Sequence, residues 1–384
     1  MDNRYSRAMS ILKALPERLL LGPGPSNVHP SVLQAMSRPL LGHLDPEFIA
    51  LLDRVKDGLR TCFGTTNAMT LPISATGSAG MEAALVNLLE PGDAVVIGVN
   101  GVFGGRMAEV CRRAGAEVTT VDAKWGHTLD ANTMAEAIAR VRPRVVSFVH
   151  AETSTGVCQP VEDISSAARD AGAMVVLDCV TSLAGRPVEL DAWGIDAAYS
   201  GTQKCLSCPP GLSPVSFSDR AIEAVQARKT PVQSWFLDLS LLAGYYTAER
   251  GGEKRVYHHT APITATYGLA AGLDVALEEG LPTRYARHEA AAARLVEGLE
   301  PLGFTPLVAA ADRLPMLTSV RLPASVNDLG EATVRGRLLD EFGIEVGAGL
   351  GPLAGEIWRI GLMGENARPE SVDRLLEALR KILG

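Results

Sequence analysis

Two charged residues stand at the ends of short apolar segments and are candidates for chemistry. Asp178 follows the apolar run Met174–Leu177, and Lys204 comes shortly after the apolar run Ala197–Tyr199. Ligands of parallel sheets bind outside the carboxyl ends of the strands, which is where such residues lie. Each residue alone has an ordinary explanation, because many α/β proteins of unrelated function carry an Asp there and a loop lysine is often a surface residue.

Taken together, the amine and the acid predict a particular covalent chemistry. The segment Ser200–Cys208 contains no charged side chain besides Lys204, and desolvation lowers the pKa of a lysine and makes it a nucleophile. Pyridoxal phosphate is held by a lysine Schiff base and needs an acid opposite its pyridine nitrogen. We therefore predict a pyridoxal-phosphate enzyme in which Lys204 holds the cofactor and Asp178 keeps the ring nitrogen protonated.

A glycine-rich segment offers a place for the phosphate of that cofactor. Thr76, Gly77 and Ser78 precede the predicted helix 81–89, and exposed N–H groups at a helix start favour an anion. A simple N-cap by Thr76 or Ser78 is the alternative interpretation. The pattern G-x-G-x-x-G is absent after the first strand, as is the acid that follows it, which counts against a nicotinamide oxidoreductase.

An aromatic residue and an arginine complete the candidate site. Phe103 follows the tight turn Asn100–Gly101, where its ring is placed either to stack on a flat cofactor or to join the core. Arg359 stands in the apolar run Ile357–Leu362 and needs an anionic partner. Its planar fork suits a carboxylate, so a substrate carboxylate and a structural Asp or Glu both stay open as that partner.

Neither the histidines nor the cysteines are expected to bind a metal. The pair within Tyr257–Thr260 suggests one, but adjacent residues on a strand point to opposite faces, and phosphate contact through Tyr257 and Thr260 is the better hypothesis. The lone C-x-x-C of Cys205 and Cys208 lacks the second ligand pair of a zinc site. Six cysteines in 384 residues are also too few for a disulfide scaffold, so we expect reduced packing residues.

Short apolar runs alternate with helical segments through most of the chain. This alternation predicts an α/β fold with a mostly parallel central sheet that has helices on both faces. After about residue 280 the pattern changes to that of a smaller C-terminal α+β domain. We predict an N-terminal arm at 1–21, a large domain at 22–280 and a small domain at 281–384. The strands expected in the large sheet are 69–73, 94–98, 118–121, 145–149, 174–177, 197–199 and 213–217.

The composition is that of an ordinary soluble enzyme. The net charge is −8 and no block is rich in lysine or arginine, so we expect no nucleic-acid partner. No apolar run reaches the ~18 residues of a membrane helix, and the N-terminus lacks the pattern of a secretion signal. We therefore expect a cytoplasmic protein without a membrane partner.

These motifs together resemble the class V aminotransferases of fold type I, and most closely the alanine–glyoxylate (serine–pyruvate) branch of that family. The resemblance covers nearly the whole chain. It implies amino transfer from alanine or serine to glyoxylate, giving glycine and a 2-oxo acid by ping-pong kinetics. The segments that carry it are Leu21–Asn27, Leu89–Asp93, Glu152–Gly156, Tyr199–Lys204, Tyr257–Thr260 and Trp358–Gly364.

The resemblance also implies a role for each candidate residue. Lys204 moves the proton during transfer, and Asp178 pairs with the pyridine nitrogen. Arg359 binds the substrate carboxylate, with the loop around Gly24 beside it. The remaining cofactor contacts are Thr153 at the ring hydroxyl, Val180 and Phe103 on the two ring faces, Thr76, Gly77, Ser78 and Gln203 at the phosphate, and Tyr257 and Thr260 at the phosphate of the other subunit. A homodimer with shared active sites follows, with the N-terminal arm crossing onto the partner.

Two positions depart from the pattern of the family, and several activities remain as alternatives. Phe103 stands where tryptophan is frequent, and Ser78 stands where some members carry histidine. A cysteine desulfurase is excluded because Gln203 precedes Lys204 and no cysteine follows Cys208. Serine–glyoxylate and ureidoglycine–glyoxylate aminotransferases remain open, whereas a non-catalytic binding protein has no reason to keep the lysine beside the acid.

Overall fold

The computed structural model describes residues 15–246 and 255–384, which form fourteen strands and fourteen α-helices. The strands are β1 (Leu19–Leu21), β2 (Met69–Ile73), β3 (Ala94–Val99), β4 (Glu117–Asp122), β5 (Val145–Val149), β6 (Ala151–Glu152), β7 (Val157–Cys158), β8 (Met174–Asp178), β9 (Ala197–Tyr199), β10 (Ser213–Phe217), β11 (Thr305–Pro306), β12 (Leu317–Arg321), β13 (Ile344–Ala348) and β14 (Ile357–Gly361). The helices are α1 (Pro30–Met36), α2 (Pro46–Phe63), α3 (Gly77–Leu88), α4 (Val102–Arg113), α5 (Ala131–Val141), α6 (Glu162–Asp170), α7 (Leu190–Trp193), α8 (Asp219–Gln226), α9 (Leu239–Tyr246), α10 (Ile263–Glu279), α11 (Leu281–Leu299), α12 (Ala324–Leu329), α13 (Glu331–Phe342) and α14 (Pro369–Leu383).

A seven-stranded sheet forms the centre of the large domain. Its strand order is β2-β10-β9-β8-β5-β3-β4, and only β10 runs antiparallel to its neighbours. Alternate residues of β5 enter two different apolar clusters, with Val145 and Val149 in one and Val146 and Phe148 in the other. Since successive strand residues point to opposite faces, both faces of the sheet are covered. The predicted α/β fold with a mostly parallel sheet is confirmed.

Helix α3 begins at Gly77, four residues before the start that the sequence predicted. The glycine-rich segment is therefore the first turn of the helix and not a separate loop before it. Small residues let this turn lie directly on the sheet, because a Cβ at Gly80 would stand 2.0 Å from Ser213 Oγ. The exposed N–H groups of the helix start thus lie at the sheet itself.

A second sheet of five strands, in the order β1-β13-β14-β12-β11, lies in the C-terminal part of the chain. Strand β1 pairs in parallel with β13, so residues 19–21 belong to this sheet although they lie near the N-terminal end of the described residues. Helices α11, α13 and α14 pack around its core. The division into an arm and two domains remains a prediction. Residues 1–14 of the predicted arm lie outside the described residues.

The sequence analysis gave no element between residues 218 and 280, where the structure has α8, α9 and α10. Helix α10 is almost entirely apolar or small from residue 263 to 273, so it shows no alternation between an apolar and a polar face. Such a pattern is typical of a buried helix and gives no periodic signal. No helix within residues 15–246 and 255–384 has the length and apolar character needed to cross a membrane.

Five strands of the large sheet end at one edge and deliver the candidate residues there. Strands β3, β5, β8 and β9 pair in parallel. Strand β2 shares their direction, because β10 lies between β2 and β9 and is antiparallel to both. The chain that leaves their carboxyl ends carries Thr76, Phe103, Thr153, Asp178 and Lys204 in that order. This edge is the site at which α/β sheets bind ligands.

Candidate active site

Lys204 lies in the loop after β9, with its side chain buried against the glycine–proline loop near the start of the chain. Its Nζ donates a hydrogen bond to the carbonyl of Pro23. Gly24 has a φ of +104°, and a Cβ at this position would stand 2.6 Å from Nζ, so only glycine fits beside the amine. Ser26 Oγ fixes the loop by donating to the Lys204 carbonyl at 2.8 Å. The loop is therefore a wall of the site.

Burial lowers the pKa of Lys204 to about 8, although the charge of Asp178 opposes the shift. The side chain makes no ion pair within the described residues. A lysine with this pKa is partly a neutral amine near pH 7 to 8 and is therefore a nucleophile. The geometry and the pKa agree with an amine that forms a covalent bond to a carbonyl compound.

Asp178 ends β8 and is fully enclosed. Its Oδ1 accepts a hydrogen bond from the backbone N–H of Val180 at 2.8 Å, and its Oδ2 accepts one from the hydroxyl of Tyr199 at 2.7 Å. Burial raises the pKa of Asp178 to about 7, and these two hydrogen bonds oppose the rise. No cation of the described residues forms an ion pair with this carboxylate. A positively charged group beside it would restore its ionised form.

The start of α3 has the features of a phosphate cradle. The first N–H groups of a helix have no partner within the helix, and Thr76 in the cap position makes no side-chain cap bond. A Cβ at Gly77 would lie 3.5 Å from Val180 Cγ2. The helix start therefore lies beside Val180, which is two residues after Asp178. Gln203 is next to Lys204 in sequence, and its buried Oε1 has no hydrogen-bond partner. Its amide N–H₂ group, not this oxygen, is the part that can donate to an anion. The open N–H groups of the helix start fit a phosphate ester.

Arg359 is buried in β14 and bonds only to backbone carbonyls. Its Nε donates to the carbonyl of Ala348 at 2.7 Å and its Nη1 to that of Thr153 at 3.2 Å. Within the described residues no carboxylate lies at ion-pair distance from it. Burial lowers the pKa of Arg359, against the opposing charge of Glu152. The described residues therefore provide no Asp or Glu partner for Arg359. This favours the carboxylate of a substrate as its anionic partner.

Phe103 is half-buried at the second position of α4. Its ring packs partly against the core cluster of one sheet face, and the guanidinium of Arg106 lies 4.9 Å from the ring centroid. The ring is thus neither an enclosed core residue nor an isolated surface residue. Thr153, whose carbonyl accepts from Arg359, is buried in the turn after β6.

Tyr257 and Thr260 are exposed, and no hydrogen bond joins either of them to another candidate residue in the part of the chain that the structure describes. The segment is a loop, so the argument that His258 and His259 point to opposite faces of a strand was wrong. Their Nδ1 atoms lie 2.8 Å apart, and His259 Nε2 lies 2.6 Å from Ser74 Oγ. The described residues contain no group of three or more His, Cys, Asp or Glu arranged to hold a metal ion.

The sequence analysis assigned no role to Tyr199, Pro23 or Glu152, all of which touch the site. Tyr199 ends β9 directly opposite Asp178 in the sheet register, so the rule about strand ends would have found it. Pro23 contributes only its carbonyl, which residue types do not reveal. Glu152 lies on the two-residue strand β6, which is too short to leave a pattern in the sequence.

The whole arrangement fits pyridoxal phosphate. It combines a buried amine, a buried acid on the neighbouring strand, a helix start with open N–H groups, an aromatic ring and an arginine without a carboxylate partner. All six cysteines are buried and unpaired. The described residues thus bring together, at one edge of the sheet, the kinds of group that an anion site, a covalent anchor and a substrate anchor would need.

Three comparisons with known proteins bear on this geometry. The family model described as aminotransferase class-V matches residues 18–367. The crystal structure of alanine–glyoxylate aminotransferase from Nostoc sp. has a TM-score of 0.94 and 47% identity, with 100% of both chains covered. The alanine–glyoxylate aminotransferase of Mus musculus is 41% identical over 377 residues, covering 98% of this chain and 90% of that protein. The (S)-ureidoglycine–glyoxylate transaminase of Bacillus subtilis is 38% identical over 96% of this chain and 91% of its own length.

Proposed function

The chain belongs to the class-V aminotransferase family, and we propose that it transfers the amino group of alanine or serine to glyoxylate, giving glycine and a 2-oxo acid. Enzymes of this family depend on pyridoxal phosphate, so the chain is a pyridoxal-phosphate aminotransferase. The observation that carries the proposal is that the buried ionisable groups of Lys204 and Asp178 lie at neighbouring strand ends and make no ion pair within residues 15–246 and 255–384.

The cofactor supplies an electron sink that stabilises negative charge at the α-carbon of the substrate. Asp178 holds a proton on the pyridine nitrogen, and Tyr199 and Val180 orient the carboxylate for this task. Lys204 would anchor the cofactor covalently. As a free amine it would also be the base that takes up the α-proton of the substrate and the acid that gives this proton back. Its lowered pKa suits both roles.

The remaining residues bind and orient. Arg359 takes the substrate carboxylate in its planar fork, since its Nη2 atom has no hydrogen-bond partner within the described residues. Gly24 keeps the space beside the amine open. We assign the phosphate to Thr76, Gly77, Ser78 and Gln203, the ring hydroxyl to Thr153, and the two ring faces to Val180 and Phe103.

The reaction runs in two halves. The amino donor leaves as a 2-oxo acid before glyoxylate enters the same site and departs as glycine. Because one arginine and one lysine serve both halves, the kinetics are ping-pong. Parallel double-reciprocal lines at several glyoxylate concentrations are the expected result, and intersecting lines of a sequential mechanism would contradict it.

A homodimer with shared active sites is part of the proposal. Among the described residues, exposed large apolar side chains concentrate in adjoining segments, residues 33–44, 235–241 and 256–257. The rings of His43 and Tyr257 lie 5.4 Å apart, and the Tyr245 hydroxyl bonds the His43 carbonyl, so these segments adjoin. Apolar patches of this kind are typical of protein interfaces. The apolar side chains are Leu33, Leu40, Leu41, Leu44, Trp235, Leu241, Val256 and Tyr257.

Tyr257 and Thr260 are exposed, which suits contact with the phosphate in the other subunit. The N-terminal arm, residues 1–21, is also proposed to cross onto the partner, and its residues 1–14 lie outside the described residues. Sedimentation of the holoenzyme at micromolar concentration should give the mass of two chains. A monomer with full activity would contradict the shared site.

Ureidoglycine is the second candidate donor. It is favoured by the 38% identity to the Bacillus subtilis transaminase, which is close to the 41% identity to the mouse enzyme. A panel of alanine, serine and ureidoglycine with glyoxylate separates the donors, measured as kcat/KM. We expect alanine or serine to exceed ureidoglycine at least tenfold, and the reverse order would replace the proposal with ureidoglycine–glyoxylate transfer.

We also propose a cytoplasmic location. It is supported by six buried and unpaired thiols, which are typical of proteins from a reducing compartment. Fractionation of the source cells with an antibody against the purified protein tests this location.

A further inference from the structure

Glu152 is a buried carboxylate to which the proposed reaction gives no task. Its Oε1 accepts hydrogen bonds from the backbone N–H of Ser154 at 3.0 Å and from Ser154 Oγ at 2.6 Å. Its Oε2 accepts from the N–H of Phe103 at 3.1 Å, and the N–H of Gly104 bonds the same carboxylate. Burial raises the pKa of Glu152 and these four donors oppose the rise. All four partners donate, so these hydrogen bonds favour the ionised form against the effect of burial.

Two of these partners are the first N–H groups of α4, the helix that carries Phe103. A helix start leaves such groups unsatisfied, and the cap residue Gly101 has no side chain to bond them. Ser154 Oγ accepts from the N–H of Val102 at 2.9 Å, which completes the first turn. A Cβ at Gly101 would stand 2.4 Å from Glu152 Cδ. Because Gly101 has no side chain, the carboxylate of Glu152 has room to cap the start of α4.

The turn that holds Glu152 also reaches the substrate side of the site. The backbone N–H of Gly156 bonds the Glu152 carbonyl at 2.8 Å and closes the turn. Between the two, the Thr153 carbonyl accepts the hydrogen bond of Arg359. One short turn therefore contacts both the helix of the stacking aromatic and the arginine proposed to bind the substrate.

We propose that Glu152 is a positioning residue that fixes Phe103 against the cofactor ring by capping α4 from outside the helix. The inference rests on the proposed function, because it takes Phe103 as the residue that packs on the ring. Glu152 touches neither cofactor nor substrate in this account. It acts through the backbone of Phe103 and Gly104, and its loss tilts the aromatic ring without removing it.

The direct test is the affinity of the cofactor-free protein for pyridoxamine phosphate, measured by titration calorimetry for the wild type and Glu152→Gln. The glutamine has the same shape but turns an N–H₂ group towards N–H donors. We expect affinity to fall about tenfold, and the visible circular dichroism per bound cofactor in the holoenzyme to fall by at least half. An affinity within twofold of the wild type with an unchanged dichroism band would overturn the inference.

A double-mutant cycle separates positioning from general damage. Phe103→Ala alone should also weaken binding, and in that background Glu152→Gln should add less than a twofold change, because its effect passes through the ring that is already gone. Fully multiplicative effects would show that Glu152 acts elsewhere and would overturn the proposal.

Asp196→Asn is the matched control. Asp196 is likewise buried and accepts a backbone N–H, that of Val175 at 2.9 Å, but it lies at the opposite end of the sheet. This variant should lose thermal stability and keep the wild-type affinity, whereas equal losses of affinity in both variants would mean that destabilisation alone is responsible.

Ser154→Ala covers the case in which Glu152→Gln does not fold. It removes only the hydroxyl between Glu152 and Val102, and we expect affinity to fall about threefold with a weaker dichroism band. Wild-type affinity with an unchanged band would contradict the proposal. A wild-type protein that binds no pyridoxamine phosphate would instead disprove the proposed function itself.

Discussion

Two groups of charged side chains that are shielded from solvent differ in how they are paired, although Glu279 and Arg287 of the first group are only partly buried. In the Glu279 cluster (Glu279, Arg284 and Arg287), the carboxylate lies 2.7 Å from Arg284 Nη1 and 2.5 Å from Arg287 Nε. Hydrogen bonds from both arginines outweigh burial and lower the pKa of Glu279 to about 2. In the strand-end site (Asp178, Lys204 and Arg359), no member has an ion-pair partner within the described residues.

We interpret the Glu279 cluster as a structural ion pair network and the strand-end site as a site whose charges pair with a bound ligand. At the strand-end site burial moves the pKa of Asp178 up to about 7 and that of Lys204 down to about 8, so desolvation is not compensated by a partner. Uncompensated buried charges destabilise a fold and mark functional sites. A cofactor with a cationic ring nitrogen and a carbonyl carbon would provide the partners of Asp178 and Lys204, and a substrate carboxylate would provide that of Arg359.

The largest effect is expected from Lys204→Ala. It removes the covalent anchor and the group that moves the α-proton, so kcat for amino transfer should fall by at least roughly 10⁴-fold, the upper end for one acid–base group. Pyridoxal phosphate should still bind, which equilibrium dialysis measures. Activity above a hundredth of the wild type would remove Lys204 from the mechanism.

Arg359→Ala should have the next largest effect. Loss of a charge-assisted contact to the substrate carboxylate costs about 3 kcal/mol, or roughly 100-fold in kcat/KM. Most of the loss should be in KM, and the visible absorption of the bound cofactor should not change. Arg359→Lys keeps the charge without the planar fork and should recover only part of the loss. An unchanged KM in both variants would retire the assignment.

Tyr199→Phe should reduce kcat by about tenfold. The variant removes the hydroxyl that bonds Asp178, and a hydrogen bond to a charged group is worth about 1.5 kcal/mol. Tyr246→Phe is the control, because Tyr246 is equally buried and its hydroxyl bonds the carbonyl of Pro72, at 3.0 Å, and the side chain of Ser74 rather than Asp178. Equal changes in kcat for the two variants would show that Tyr199 does not act through Asp178.

The smallest effect on activity is expected from Glu279→Gln, which should leave kcat and KM near their wild-type values. Its unfolding free energy should fall by about 3 kcal/mol, since Arg284 loses its carboxylate in a buried position. The folded pKa lies below that of the unfolded chain, so this stabilisation is fully present above pH 4.5 and is lost as the pH falls towards 2. The wild type and the variant should therefore converge in stability at low pH.

Lys204→Met completes the comparison. It replaces an unpaired buried charge with an apolar side chain of similar length, so the cofactor-free protein should be at least as stable as the wild type. Urea unfolding of both proteins measures this. A loss comparable to that of Glu279→Gln would mean that the two groups of charges do not differ in the way described.

Much of the fold follows from the sequence because parallel strands buried on both faces leave plain apolar runs. The predicted bounds of 69–73, 145–149 and 213–217 are those of β2, β5 and β10. Helix α10 was missed because it has no polar face, and the pairing of β1 with β13 depends on contacts between the two ends of the chain. Neither feature is encoded in a local pattern.

The candidate site divides in the same way. Asp178 and Lys204 were predicted because side chains at strand ends follow a general rule, and the structure places both at the expected edge. Glu152 and Pro23 were given no role, since one acts from a two-residue strand and the other through its carbonyl. The error over His258 and His259 arose from treating a loop as a strand. Contacts from a second subunit cannot be derived from the fold of one chain.

The central claim is that the buried amine of Lys204 is the covalent anchor of pyridoxal phosphate. The most direct measurement is incubation of the purified protein with pyridoxal phosphate, reduction with borohydride and mass mapping of the peptides. We expect a visible absorption band before reduction and the mass of one reduced cofactor on Lys204 afterwards. A colourless protein, or a label distributed over other lysines with Lys204 unmodified, would contradict the account.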